Sequence, residues 1–420
     1  MIENKYDPKT KSNLSETLFN REIFDKIIGC LETDSELPNH SWLVAGDEGV
    51  GKSHLLALLD QEIRANQKIS QSFRTVYLPE MFGVDSLYRL YLKVAKAVCV
   101  NEDTRKDEYE QIKAIRLTGS LEVKKKQRYQ LSLNLYELLW KVRDGRNYLL
   151  LIDDADETLG KFKIEDVRQY VSQQLDYEPI FSVIAASEVA EPVWAKMMGL
   201  VSIELTSPRD LEDYKNYLFK YITREQYNRN AHMVDVWRLI TGGNPLMGLH
   251  LVDRLNERRR IEPLDLVSII MEMSPVFANK VRGLPFQQRI IIDAIAMGAP
   301  TQTPSEIGVA ANIDLKLAAI VCGRLAKSGW LKVTPLFGPG IKGNETFYAL
   351  KDNVFRYWYQ LRHGRNDPID FIRSCRDNRT EILSDETDYI ISHAYMLQDR
   401  VKLSWHVDPL IKDICFWRYN

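Results

Sequence analysis

The 420-residue sequence predicts an α/β chain: a parallel sheet covered by helices on both faces, then a helical region, a helix-turn-helix with a wing, and a helical tail. Three observations predict it. Short apolar runs alternate with helical patterns from Ser41 to about residue 207. A glycine-rich loop joins the first run to a helix. After "SPRD" (207–210) the strand-like runs give way to helices until about residue 275. Alternation of this kind is the pattern of strands buried on both faces, each linked to the next by a crossover helix.

The elements follow in order. A polar lead and an amphipathic helix in "LFNREIFDKIIGCLE" precede the first strand. "SWLVA" (41–45), "FRTVYLP" (73–79), "YLLLID" (148–153), "IFSVIAAS" (180–187) and "VSIEL" (201–205) read as buried strands. "KSHLLALLDQEIRA" and "VDSLYRLYLKVAKAV" read as helices between them, and the highly charged stretch 101–128 reads as a solvated insertion. Domain boundaries are expected at 1–207, 208–275, 276–363 and 364–420. There is no internal repeat.

Composition narrows the function classes. An apolar content of 45%, a charged content of 27% and a formal charge of -2 are those of a soluble globular protein, with no whole-chain attraction to nucleic acid or membrane. The five cysteines (Cys30, Cys99, Cys322, Cys375, Cys415) form no CxxC pair, which argues against a zinc site or a disulfide framework and fits a reducing interior. With a polar N-terminus and no apolar run of the ~18 residues that a membrane helix needs, a cytoplasmic protein is expected.

"SWLVAGDEGVGKSHLL", from Ser41, carries the chemistry. Gly46, Gly51, Lys52 and Ser53 satisfy G-x-x-x-x-G-K-[ST] between an apolar strand and an amphipathic helix. In such a loop the amides from Gly46 through Asp47, Glu48, Gly49, Val50, Gly51, Lys52, Ser53 and His54 turn inward as a nest for phosphate oxygens. Glycines permit the left-handed path and the close approach of the ligand. Lys52 reaches the β- and γ-phosphates, and the Ser53 hydroxyl ligates Mg²⁺. ATP and Mg²⁺ are therefore the expected cofactors.

"YLLLIDDAD" adds carboxylates at a strand end. In P-loop folds the neighbouring strand delivers an acid to the metal's water shell, a role that falls to Asp153, with Asp154 placed to polarise the attacking water. Asp156 is read as a cap for a helix beginning near Lys161. Ser187, at the tip of "FSVIAAS", is either a γ-phosphate sensor or an ordinary strand-end serine.

These motifs resemble those of the AAA+/STAND group of P-loop ATPases, in particular the archaeal-type ATPases and the origin-recognition initiator ATPases. "LFNRE" resembles the Asn-Arg motif before the first strand, which implies that Asn20 and Arg21 lie beside the base. "GDEGVGKS" and "LLLIDDAD" match the two Walker motifs. "ITGGNPLMGLHLV" resembles the Gly-x-Pro turn of the helical lid, with Gly243 and Pro245 in place and Pro245 implied beside the nucleotide. "DNVFRYWYQLR" resembles the aromatic end of the winged-helix domain that follows. The sequence also departs from the pattern. Leu246 and Met247 stand where initiators often carry a sensing arginine, and Asp154 stands where many relatives have Glu. The resemblance thus implies a slowly hydrolysing switch and not a fast motor.

Residues 276–363 hold eleven basic residues against five acidic ones, a net charge of +6. "LPFQQRIIIDAIAMGAP", "TPSEIGVAAN" and "DLKLAAIVCGRLAKSGWLKVT" form a helix-turn-helix, with Thr303 or Ser305 capping the second helix and Asp314 the third. Leu315, Ala318, Cys322 and Leu325 make the third helix's apolar stripe, and "FGPGIKGNE" makes the wing. Lys316, Arg324, Lys327 and Lys342 are the candidate DNA-backbone contacts. The third helix has few long polar side chains for base edges, so a protein partner or self-assembly stays open beside DNA. The aromatic residues Tyr348, Phe355, Tyr357, Trp358 and Tyr359 are read as packing and not as a stacking platform.

Overall fold

The computed structural model describes residues 20–33, 41–79, 83–100, 105–176, 180–187, 192–208, 211–258, 260–298, 301–335 and 346–363. The chain divides into two compact units, Met1–Ser207 and Pro208–Asn420.

The first unit is a five-stranded sheet of β1 (Trp42–Ala45), β2 (Phe73–Leu78), β3 (Asn147–Ile152), β4 (Phe181–Ser187) and β5 (Val201–Glu204). All neighbours are parallel, in the order β2-β3-β4-β1-β5. Successive strand residues face opposite sides, and both sides are buried. Trp42 and Val44 of β1, Leu149 and Leu151 of β3 and Ile184 and Ala186 of β4 pack with the helices Arg21–Thr33 and Lys52–Ala65. Leu43, Leu150, Ile152, Val183 and Ala185 face the other way, onto the helices Leu87–Ala95, Leu121–Val142 and Ile164–Asp176. Interior strands buried on both faces are continuous apolar runs, which is why β1, β3 and β4 stand out in the sequence, whereas β2 (FRTVYL) is an edge strand buried only in part. The fifth differs from expectation: β5 is an exposed edge strand, with Val201 57% accessible, because only β1 pairs with it.

One further expectation changes here. The strand next to β1 on the side of the acids is β4, with β3 one place further out, so the carboxylates after β3 do not come from the loop's immediate neighbour. The charged stretch 101–128 is solvated as expected, with most of its described residues exposed, and it is largely helical there, in Lys106–Ala114 and the start of Leu121–Val142. Tyr109 buries its ring from the first of these helices. The Ser120 hydroxyl accepts from the Val123 amide and starts the second.

The second unit opens with the helices Leu211–Leu218, Arg224–Thr241, Pro245–Glu257 and Pro263–Glu272. The helix Ser274–Arg282 then spans the expected boundary at 275/276. Phe286–Met297, Pro304–Ala311 and Leu315–Lys327 form three further helices. The antiparallel pair β6 (Leu331–Pro335) and β7 (Thr346–Leu350) leads to the helix Asn353–Arg362. Thr303, not Ser305, caps the second of the three through a capping box with Glu306. Asp314 caps the third by accepting from the Lys316 and Leu317 amides. The apolar stripe is Ala318, Val321, Cys322 and Leu325, whereas Leu315 is 53% exposed. Phe355 and Trp358 pack on Phe277, and Trp330 meets Phe355 edge-on, so these rings are core. The expected wing tip, including Lys342, and the tail from residue 364 lie outside the described residues.

Candidate functional site in the first unit

The loop after β1 is shaped by steric exclusion. A Cβ on Gly46 would sit 2.7 Å from the Leu205 carbonyl oxygen and 2.9 Å from Val50 Cγ2, so only glycine fits. Gly49 and Gly51 adopt φ of 82° and 102°, left-handed angles that glycine takes without strain. Val50 is buried in the core under the loop, so it offers the site its backbone and not its side chain. Asp47 and Glu48 are exposed. The helix Lys52–Ala65, which contains Ser53 and His54, begins at Gly51 with no side-chain cap on its first amides. Such a start is an anion-binding arrangement once a loop of amides precedes it.

Lys52 folds over this loop, its ammonium donating to the carbonyls of Gly46 at 2.8 Å and Asp47 at 2.9 Å. The Gly46 amide donates to the Ser187 carbonyl at 3.1 Å, and the Leu205 amide to the Ala45 carbonyl at 2.7 Å. The loop is thus held from both sides by the tips of β4 and β5.

Beyond β3, the Asp153 amide continues the ladder to the Leu78 carbonyl, and the residue is 6% exposed. Its carboxylate accepts from the Asp154 amide at 3.1 Å. That bond goes with a left-handed Asp154, at φ 46° and ψ 46°, whose side chain is exposed. Asp156 is not the expected cap, because the helix starts at Ala155 and the next one, Ile164–Asp176, has its own acid. There Asp166 accepts from the Leu87 and Lys163 amides, and burial raises its carboxyl above the ordinary aspartate range. Asp156 instead accepts from the Ser187 hydroxyl, at 2.9 Å and 2.8 Å to its two oxygens. Ser187 is 1% exposed. A contact across 31 residues leaves no periodic trace in the sequence, and only the adjacency of β3 and β4 creates it.

Asn20 donates to the Thr206 carbonyl at 3.4 Å, beside the Leu205 that abuts Gly46. Arg21 pairs with Asp25 at 3.3 Å and stacks on Phe24. The structure therefore gathers Asn20, Gly46, Lys52, Asp153, Asp154 and Ser187 at the C-terminal ends of the strands.

Pro245 belongs to the second unit. It occupies the first turn of a helix whose N-cap is Asn244, a role the sequence reading missed although Asn before Pro is its signal. The Asn244 side chain accepts from the Leu246 and Met247 amides. Gly243 takes φ 76° with the Pro208 carbonyl 3.1 Å from where a Cβ would be. Lys316, Arg324 and Lys327 are exposed along the helix Leu315–Lys327.

No family model matches the chain, and no curated protein matches it in sequence. Solved structures do. The Aeropyrum pernix ORC2 protein, solved in ADPNP–ADP complexes, is similar over 86% of this chain and 97% of that one, with a TM-score of 0.51 and 12% identity. The chain shares the fold of that protein. The Aeropyrum pernix ORC1 protein in complex with DNA gives a TM-score of 0.47 at 15% identity, covering 84% of this chain and 95% of that one. Cdc6p from Pyrobaculum aerophilum gives 0.43 at 14% identity, covering 84% and 98%. At these identities the likeness is one of fold. Among the described residues, no helix is long and apolar enough to cross a membrane.

Proposed function

We propose that the chain is an ATP-binding, slowly hydrolysing switch that couples nucleotide state to DNA or to a partner complex. The observation that carries this reading is the loop after β1. It has a glycine at which a Cβ would collide, two left-handed glycines, and a lysine lying over its carbonyls at 2.8 Å and 2.9 Å. Such a cradle fits phosphate. Amides of the loop after Gly46, as far as His54, would hold the phosphates, and Lys52 would exchange its carbonyl partners for phosphate oxygens. Ser53 and Asp153 would hold Mg²⁺, which when bound supplies charge neutralisation at the phosphates. Asn20 and Arg21 would border the base. Asp154, exposed beside the buried Asp153, would orient water.

The ADPNP–ADP complexes of the Aeropyrum ORC2 protein support a nucleotide in a site on this fold. Calorimetry with magnesium and ATP tests the reading. Heat is expected from the wild type and none from Lys52→Ala; a silent wild type would end the proposal.

For the second unit, DNA contact rests on the net charge of +6 over 276–363 and on Lys316, Arg324 and Lys327 along one exposed helix. We read β6, β7 and the three preceding helices as a winged helix. A specific observation favours a second reading, in which this domain binds protein and the chain is a signalling scaffold. Val309 is 82% exposed, and Leu315 and Ile320 are each 53% exposed, on the same helix-turn-helix. Binding to duplex DNA that falls by decades between low and moderate salt supports the first reading, and no binding at low salt supports the second.

A further inference from the structure

Ser187 closes β4 in register with Ala45, the last residue of β1, and its carbonyl holds the first amide of the glycine loop at 3.1 Å. Its hydroxyl therefore lies where strand tip and phosphate loop meet. That hydroxyl has one proton and two lone pairs. The proton is directed to Asp156, whose two oxygens lie 2.9 Å and 2.8 Å away, and an ionised carboxylate can only accept. Ser187 is 1% exposed, so water does not compete freely for the bond. Phosphate oxygens are also acceptors. A serine whose proton is taken has nothing to donate to a γ-phosphate, but it can still accept from a water molecule.

We infer that Asp156 is a positioning residue that captures the Ser187 proton, turns Ser187 into a hydrogen-bond acceptor toward the nucleotide site, and so removes it as a γ-phosphate anchor. The inference rests on the nucleotide reading above. It assigns Asp156 a role absent from the helix-capping expectation and reverses the sensor expectation for Ser187. Discrimination between tri- and diphosphate then falls to other groups, Lys52 among them.

The test is the ratio of ATP to ADP affinity, each with magnesium, measured by calorimetry without turnover. Five proteins are compared: wild type, Ser187→Ala, Asp156→Asn, Asp156→Ala, and the Asp156→Ala/Ser187→Ala double variant. Ser187→Ala is expected to leave the ratio unchanged, since the wild-type hydroxyl gives the γ-phosphate nothing. Asp156→Ala frees the proton and is expected to raise the preference for ATP about tenfold, or ~1.4 kcal/mol. The double variant should lose that gain. Asp156→Asn removes the charge but keeps a carbonyl acceptor, so its ratio should stay near wild type.

A fall in the ratio for Ser187→Ala would overturn the inference, because it would mean that the native hydroxyl donates to phosphate. So would a gain in Asp156→Asn equal to that in Asp156→Ala, or a gain that survives in the double variant, since either would reduce the effect to charge repulsion. An unchanged ratio in Asp156→Ala would overturn it as well. Should Asp156→Ala not fold, a fall in the ratio for Ser187→Ala or a gain of about tenfold for Asp156→Asn would still overturn the inference. A wild type silent toward both nucleotides would instead sink the underlying nucleotide reading, and all five proteins would then be silent together.

Discussion

The Gly46 amide and the Ser187 carbonyl are joined at 3.1 Å, which ties the start of the glycine loop to the tip of the neighbouring strand. The loop therefore has no room to move outward when its own side chains grow. Gly46→Ala would place a methyl 2.7 Å from the Leu205 carbonyl and 2.9 Å from Val50 Cγ2. Both obstacles are buried, and one is backbone. We expect a loss of ~1–3 kcal/mol in stability, seen as a lower midpoint in denaturant, together with loss of ATP binding. A variant that binds ATP normally would show that the loop is softer than its contacts indicate.

Asp154 is exposed and left-handed, a conformation that asparagine also tolerates. Asp154→Asn should therefore keep the fold and keep nucleotide binding while phosphate release falls by about 100-fold or more. Turnover equal to wild type would remove Asp154 from the chemistry.

Lys316, Arg324 and Lys327 lie exposed on one helix. Replacing all three by Ala should weaken duplex DNA binding uniformly across sequences and lower the slope of log K against log salt by about 3. An unchanged slope would shift attention to the apolar residues Val309, Leu315 and Ile320 and to a protein partner.

Two side-chain caps hold the second unit's helices. Asn244 accepts from the Leu246 amide at 3.0 Å, and Asp314 from the Lys316 amide at 2.8 Å. Asn244→Ala and Asp314→Ala should each cost ~1 kcal/mol, read from urea midpoints. Losses below about 0.3 kcal/mol, at the scale of an ordinary surface change, would mean that water replaces the caps at no cost.

Burial pushes the Cys322 thiol up to about 12, whereas Cys30 is only partly buried. The thiolate is the nucleophile, so Cys322 should resist alkylation at pH 8 in the folded protein and react at the normal rate in guanidinium. Raising the pH toward 12 should speed its reaction only to the extent that the thiolate forms. Fast labelling of Cys322 at pH 8 would show that its helix opens readily.

The interior strands β1, β3 and β4 were legible because interior parallel strands must be apolar on both faces, so their continuous runs stand out and end within a residue of their expected limits. The glycine loop was legible because its constraints are local: the residues that need φ above zero are the residues that carry the motif. Caps such as Thr303 and Asp314 were legible for the same reason. The stretch 101–128 was legible as solvated, since most of its described residues are exposed, but its helices were not, because few residues besides Tyr109 enter the core to mark a periodic face.

By itself, the sequence determined the number and type of strands in the first unit, the phosphate-loop geometry and the helix starts, because each depends on residues a few positions apart. Only the tertiary structure decided that β4 lies between β1 and β3, that β5 is an exposed edge, that Leu315 faces out, and that Asp156 holds the Ser187 proton. These outcomes depend on which strands become neighbours. Neighbour choice is set by how distant apolar faces pack together, a sum over the whole core that no short stretch of chain contains.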